Sequence, residues 1–205
     1  LHQHRRRQRQ MCIRDRFGSL TLIFSSTDLS FTDAFFESMS GITTTGSTII
    51  TNLNETSKAI LLWRGMLQWF GGIGIIVMAI TLMPLMNIGG MQLFNISSDN
   101  TSEKIFPKTK EVSLRLLTIY SLLTFVCAFF YFIFGMSLFD SIVHAMTTIA
   151  TGGFANYNES IGYFNNSLIE INAIIFIILG SIPFIAYIKY LSGCLLYTSP
   201  SPRDS

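Results

Sequence analysis

Ser30–Ser47, SFTDAFFESMSGITTTGS, is written a second time as Ser137–Phe154, SLFDSIVHAMTTIATGGF. Aligned without gaps at an offset of 107 residues, Ser30 meets Ser137, Asp33 meets Asp140, Met39 meets Met146, Ile42 meets Ile149, Thr44 meets Thr151 and Gly46 meets Gly153. Phe35 and Ile142, Phe36 and Val143, and Ser40 and Thr147 keep their character. The period is too long for a solenoid and suits a repeated membrane unit.

Each copy has the same internal logic. A short amphipathic run begins at an acidic residue and stops at a Thr/Gly cluster. Asp33 and Asp140 belong in the first turn of a helix, where the positive dipole end favours a carboxylate. The spacing predicts helices over about Thr32–Gly41 and Phe139–Ile149. The segments that follow, Thr43-Thr44-Thr45-Gly46 and Ala150-Thr151-Gly152-Gly153, are small and polar, with glycines that permit unusual dihedrals. A polar loop after a helix is the plain reading of one such cluster. Two copies, both between apolar spans, favour helices that enter a membrane and end in rows of backbone carbonyls, as cation selectivity filters do.

The remainder of the chain agrees with a membrane protein. Hydrophobic residues make up 49% and charged residues 13%, and the net charge of +2 gives no reason to expect nucleic acid as a partner. Ala59–Met86 and Leu114–Phe134 are long enough to span, and Ile169–Tyr190, with Pro183 inside it, reads as a last span. Phe17–Ser26 is apolar but too short to cross. Trp63 and Trp69 are expected to act as interfacial anchors. Phe70-Gly71-Gly72-Ile73-Gly74 lacks the setting of a dinucleotide fingerprint and instead permits close approach of a neighbouring backbone. The polar connection Asn87–Val112 carries Lys104, Lys108 and Lys110, with Arg115 just beyond. The loops after the two Thr/Gly clusters, Thr48–Ser57 and Ala155–Ser167, contain neither Lys nor Arg. The positive-inside rule then places Asn87–Val112 in the cytoplasm and both clusters at the outer mouth. A lipid-headgroup or partner site at Lys104–Lys110 is compatible with this. Of the three cysteines, Cys127 lies within a span, and no disulfide framework is implied.

DAFFESMSGITTTGST, WRGMLQWFGGIGIIVMA, NIGGMQLF and FDSIVHAMTTIATGGFANYNESIGYF, in that order, resemble the TrkH-type subunits of the Trk/Ktr/HKT potassium transporters. The resemblance runs from about Phe17 to Leu191. It implies an all-α integral membrane fold of repeated outer helix–pore helix–filter–inner helix units, four around one pore. This chain would hold most of the first unit (17–86), a cytoplasmic connection (87–112) and all of the second unit (113–191). It implies uptake of potassium across the bacterial cytoplasmic (inner) membrane, with filter oxygens from Thr44, Thr45, Gly46, Thr151, Gly152 and Gly153. It implies contact with membrane lipid, a homodimer, a cytosolic nucleotide-binding regulatory subunit of the TrkA type, and no organic cofactor. A gating loop is expected in the third repeat. The last helix, LGSIPFIAYIKYL, departs from an Asn- and His-containing version in some members, which leaves the subgroup open.

Several residues admit other readings. Arg64 either coordinates something in the outer mouth, or snorkels, or braces the pore helix. Glu37 and His144 are read as structural rather than ion-binding. A membrane-embedded enzyme using Glu37, His144 and Glu170 is disfavoured by their separation and by the lack of a nucleophile or metal-ligand motif. A non-conducting structural membrane subunit is the remaining alternative. Residues 1–16, which include MCIRDR, and residues 192–205, CLLYTSPSPRDS with its preceding two residues, resemble translated adapter sequence and are expected to be foreign tails. The basic first segment has no apolar core and is not a signal peptide.

Overall fold

The computed structural model describes residues 18–23, 29–82, 105–184 and 186–187, without the side chains of 79–82 and 105–112. Both expected tails lie outside these residues, as does most of the polar connection. Among the described residues the fold is helical, with no strand. Five helices carry it: α1 (Phe31–Ile42), α2 (Lys58–Leu82), α3 (Ile105–Ile133), α4 (Leu138–Ile149) and α5 (Ser167–Ser181). Short 3-10 turns occur at Leu53–Glu55 and Ser160–Phe164.

The repeated stretch forms α1 and α4, each of 12 residues. At 1.5 Å per residue each is about 18 Å long, roughly half a bilayer's apolar thickness. Ser30 and Ser137 cap them, and each side-chain oxygen accepts from the backbone N–H of the Asp three residues on. Each hydroxyl then donates to that Asp carboxylate, at 2.8 Å in α1 and 2.7 Å in α4. The serine is thus the N-cap, and the first-turn Asp fixes its hydroxyl; the acid accepts from the cap's side chain and not from its backbone N–H as in a full capping box. The S-x-x-D spacing was there to be read, but only the acidic half of it enters the sequence argument above.

Segments Lys58–Met78 and Ser113–Ile133 are each long and apolar enough to cross a membrane. α3 starts at Ile105, so the end of the predicted polar connection, with Lys108 and Lys110, is helical. Pro107 does not prevent this, because the first turn of a helix tolerates a missing N–H. α5 is shorter than the span expected over Ile169–Tyr190. It ends at Ser181, and Ile182 takes an extended backbone, ψ 133°, before Pro183. The proline ring disfavours helical geometry in the residue before it, so the helix breaks there.

Packing places the second pore helix at the centre. α4 lies against α2, α3 and α5, whereas α1 packs chiefly on α2. Cys127, Tyr131, Ala145, Ile149, Ile169 and Ala173 are buried in the main cluster, which Trp69, Ile73 and Ile76 of α2 join from the first repeat. The helical segment 18–23 buries Leu22 against Ala34 and Ile60. Trp63 and Trp69 do not serve as interfacial anchors through their polar edges. Trp63 donates its indole N–H to the Gly18 carbonyl at 3.2 Å, and Trp69 donates to Thr124 Oγ1 at 3.0 Å. An indole N–H among apolar helices needs an acceptor, and both find one on a neighbouring helix. The outward faces of α3 and α5 are apolar, with Leu122, Phe125, Phe132, Ile174 and Ile178 exposed.

Two of the three glycines in the α2 cluster meet a close neighbour as expected, while a Cβ on Gly74 would meet no described atom within 4 Å. A Cβ on Gly71 would collide with the Ile42 carbonyl at the end of α1, and one on Gly72 would sit 2.6 Å from the Tyr120 hydroxyl. Gly180 in α5 repeats the first arrangement, since its Cβ would lie 2.8 Å from the Ile149 carbonyl. Gly71 and Gly180 are therefore equivalent positions on the two inner helices.

Candidate functional site

Both pore helices end in the same way. Thr44 N–H donates to the Gly41 carbonyl and Thr45 N–H to the Ser40 carbonyl, each at 3.0 Å. Thr151 N–H to the Thr148 carbonyl and Gly152 N–H to the Thr147 carbonyl, also at 3.0 Å, repeat those bonds in α4. This is a Schellman closure, whose left-handed position is usually glycine. Here it is threonine, at φ 56° for Thr44 and 53° for Thr151. Two residues later Gly46 and Gly153 are left-handed again, at 80° and 81°, while Thr45 and Gly152 between them are not. A β-branched side chain in this region is a true outlier, and two matched outliers point to a functional constraint.

The two Thr/Gly segments lie side by side. A Cβ on Gly46 would strike the Gly152 carbonyl, so this glycine is needed both for its φ and for the close approach. Around Gly153 no described atom lies within 4 Å of such a Cβ, so only φ constrains that position here. Gly152 is constrained by packing alone: a Cβ there would run into the Gln68 side chain. The negative dipole ends of α1 and α4 abut these segments.

Arg64 settles into one of its three readings, the brace. It is 1% exposed and faces a fully buried Glu37, so it does not snorkel. Its Nε donates to Glu37 Oε1 at 2.7 Å, Nη1 to the Ala155 carbonyl at 3.2 Å and Nη2 to Thr48 Oγ1 at 3.0 Å. Glu37 also accepts from the Thr48 hydroxyl and the Ile49 N–H, each at 2.9 Å. The guanidinium carbon stands 4.2 Å from the centre of the Phe154 ring. A buried ion pair is tolerable when further hydrogen bonds surround it, and here they come from the segments leaving both Thr/Gly clusters: the Thr48 hydroxyl, the Ile49 N–H and the Ala155 carbonyl. One turn along α2, the buried Gln68 accepts from Phe154 N–H through Oε1 at 3.2 Å.

The second copy is held differently. Tyr131 and Thr148 share a hydroxyl bond of 2.9 Å behind it. Asp140 accepts from Ser137, from Asn156 Nδ2 at 2.8 Å and from the Tyr157 hydroxyl at 3.2 Å. Burial, with the Asp140 charge beside it, pushes Tyr157 up to about 12, so its phenol remains a donor. His144, which aligns with Glu37, is buried edge-on against Phe164. Glu170 stands exposed in the first turn of α5. Glu37, His144 and Glu170 are thus engaged in three separate places and form no acid–base constellation. The sequence reading singled out Thr44, Thr45, Gly46, Thr151, Gly152 and Gly153, and the structure sets the two segments against each other at Gly46 and the Gly152 carbonyl. It did not give a role to Gln68, which in the sequence is one polar residue in a long apolar run.

The TrkH family model, described as a cation transport protein, matches residues 8–197. The chain is 45% identical over 178 residues to the Trk system potassium uptake protein TrkI of Halomonas elongata, covering 86% of this chain and 36% of that protein. It is 44% identical over 179 residues to the Trk system potassium uptake protein TrkH of Escherichia coli (strain K12), covering 86% and 37%. Its fold matches the crystal structure of the potassium transporter TrkH from Vibrio parahaemolyticus with a TM-score of 0.77 and 39% identity, over 89% of this chain and 36% of that one. The chain thus spans little more than a third of the length of the relatives it matches.

Proposed function

The chain belongs to the TrkH family of cation transport proteins, and on that premise we propose that it supplies two of the four quarters of a potassium-uptake pore in the bacterial cytoplasmic (inner) membrane. A dehydrated potassium ion must exchange its water for other oxygens. The carbonyls of Thr44, Thr45 and Gly46, with those of Thr151, Gly152 and Gly153, supply half of each ring. The observation that carries this reading is the matched alternation of left-handed and other residues at 44–46 and 151–153. Such alternation turns successive peptide planes the same way, so consecutive carbonyls share a side. The C-terminal ends of α1 and α4 add partial negative charge where the cation passes.

The filters face outward, and the Lys-bearing connection faces the cytoplasm, where the nucleotide-binding regulatory subunit of the TrkA type would engage the assembled transporter. The transporter is a homodimer in lipid. Potassium is its transported substrate, and this chain needs no organic cofactor.

The test is a chimera in which residues 17–191 replace the matching segment of the Escherichia coli TrkH relative, in cells without potassium uptake of their own. Gly46→Ser and Gly153→Ser are expected to lower the K⁺/Na⁺ preference while the protein still reaches the membrane. Unchanged preference in both variants removes the filter assignment. A well-inserted parent chimera with no ion flux would favour a non-conducting structural subunit.

A further inference from the structure

We infer that the inner helix of the first repeat sets the geometry of the second repeat's filter, with Arg64 and Gln68 of α2 as positioning residues across the repeat boundary. The inference rests on the filter reading above. Arg64 holds the carbonyl of Ala155, two residues past Gly153, at 3.2 Å. Gln68 holds the N–H of Phe154, the next residue after Gly153, at 3.2 Å. Gln68 also fills the space over Gly152, where a Cβ would lie 2.5 Å from Nε2 and 2.7 Å from Oε1. Its Nε2 stands 3.6 Å from the Cβ position of Gly46, so one amide is wedged between the two filters.

Arg64 is itself fixed from the first repeat. Glu37 on the first pore helix and Thr48 beyond the first filter take its other donors. The exit of filter two is therefore tied to the exit of filter one through a buried ion pair. With each of its three nitrogens bonded to a different segment, this buried guanidinium couples their positions rather than merely filling space. Glycine at 152 has the same origin. Its φ is not left-handed, so what forbids a side chain there is Gln68.

Of the two inner helices in this chain, the first alone carries the device. Aligning the inner helices on Gly71 and Gly180 brings Arg64 opposite Ala173 and Gln68 opposite Ile177. The second inner helix has no polar group at either position with which to grip a neighbouring filter. The boundary between the first two repeats is thus locked, and the pseudo-symmetry of the pore is broken at this point.

The chimera described above tests this with Q68A, R64Q and R64K, reading rubidium and sodium uptake against membrane abundance. Q68A and R64Q are expected to lower the K⁺/Na⁺ preference at least tenfold at parental abundance. R64K, which keeps the charge beside Glu37 but lacks a fork to reach Ala155 as well, is expected to restore part of it. Preference within twofold of the parent in abundant Q68A protein overturns the inference, even if R64Q fails to reach the membrane. A parent chimera without potassium uptake, by contrast, overturns the functional reading itself.

Discussion

Thr44 and Thr151 pay a conformational penalty that glycine would avoid. Left-handed backbone at a non-glycine residue costs on the order of 1–3 kcal/mol. Replacing Thr by Gly would return that strain and lose roughly 0.4–1 kcal/mol through a freer unfolded chain. T44G or T151G should therefore raise stability by about 1 kcal/mol, seen as a higher melting temperature in detergent. The same variants should weaken the K⁺/Na⁺ preference, because a glycine no longer holds the carbonyls in one conformation. A loss of stability with selectivity intact would mean that the threonines serve the fold and not the filter. The Thr/Gly segments proposed as filters stand out in the sequence because they recur. Gln68 could not, since its partner Phe154 lies 86 residues away and neither residue type announces the contact.

At the scale of the element, the two pore helices share a cap but not a setting. Asp33 accepts the Ser30 hydroxyl and is half-buried, whereas Asp140 is buried and accepts from Ser137, Asn156 and Tyr157. D33A should cost up to about 1 kcal/mol, the usual worth of a cap interaction. D140A leaves the buried Asn156 amide without its acceptor and should cost about 2–3 kcal/mol. Comparing the melting temperatures of the two variants checks this, and equal losses would contradict the hub role of Asp140. Helix α1 and helix α4 were legible to within a residue or so at each end, because an acidic first turn and a Thr/Gly stop bracket each apolar run. The start of α3 was not, since Lys-rich sequence with a proline reads as a loop, although a proline in the first turn is compatible with a helix. The end of α5 was legible only in part: Pro183 was seen within a span, but the extended residue before it ends the helix.

On the scale of the whole molecule, the path of the chain constrains orientation before charge is considered. α2 has 25 residues and leads away from the first filter, and α3 has 29 and leads back to the second. At about 37 and 43 Å these helices each cross a bilayer, and two crossings return the chain to the same side. The loops beyond the filters are also joined: Leu53 N–H donates to Asn158 Oδ1 at 3.0 Å, and Asn158 N–H to Asn54 Oδ1 at 3.3 Å. The proposal of which side this is rests on charge. Lys58 stands at the filter end of α2, over the Phe139 ring at 5.6 Å. In the sequence, Lys104, Lys108, Lys110 and Arg115 fall in or just after the connection that follows α2, and by the positive-inside rule this bias supports the proposed orientation. A cysteine at the exposed Asn54 should therefore react with a membrane-impermeant thiol reagent added to intact cells. A cysteine at Ser102, in the connection between α2 and α3, should react only after the cells are permeabilised. Labelling of both from outside would break the two-crossing path. The reverse pattern would keep the path and invert the transporter, turning the filter mouths toward the cytoplasm, where uptake through them is no longer explained.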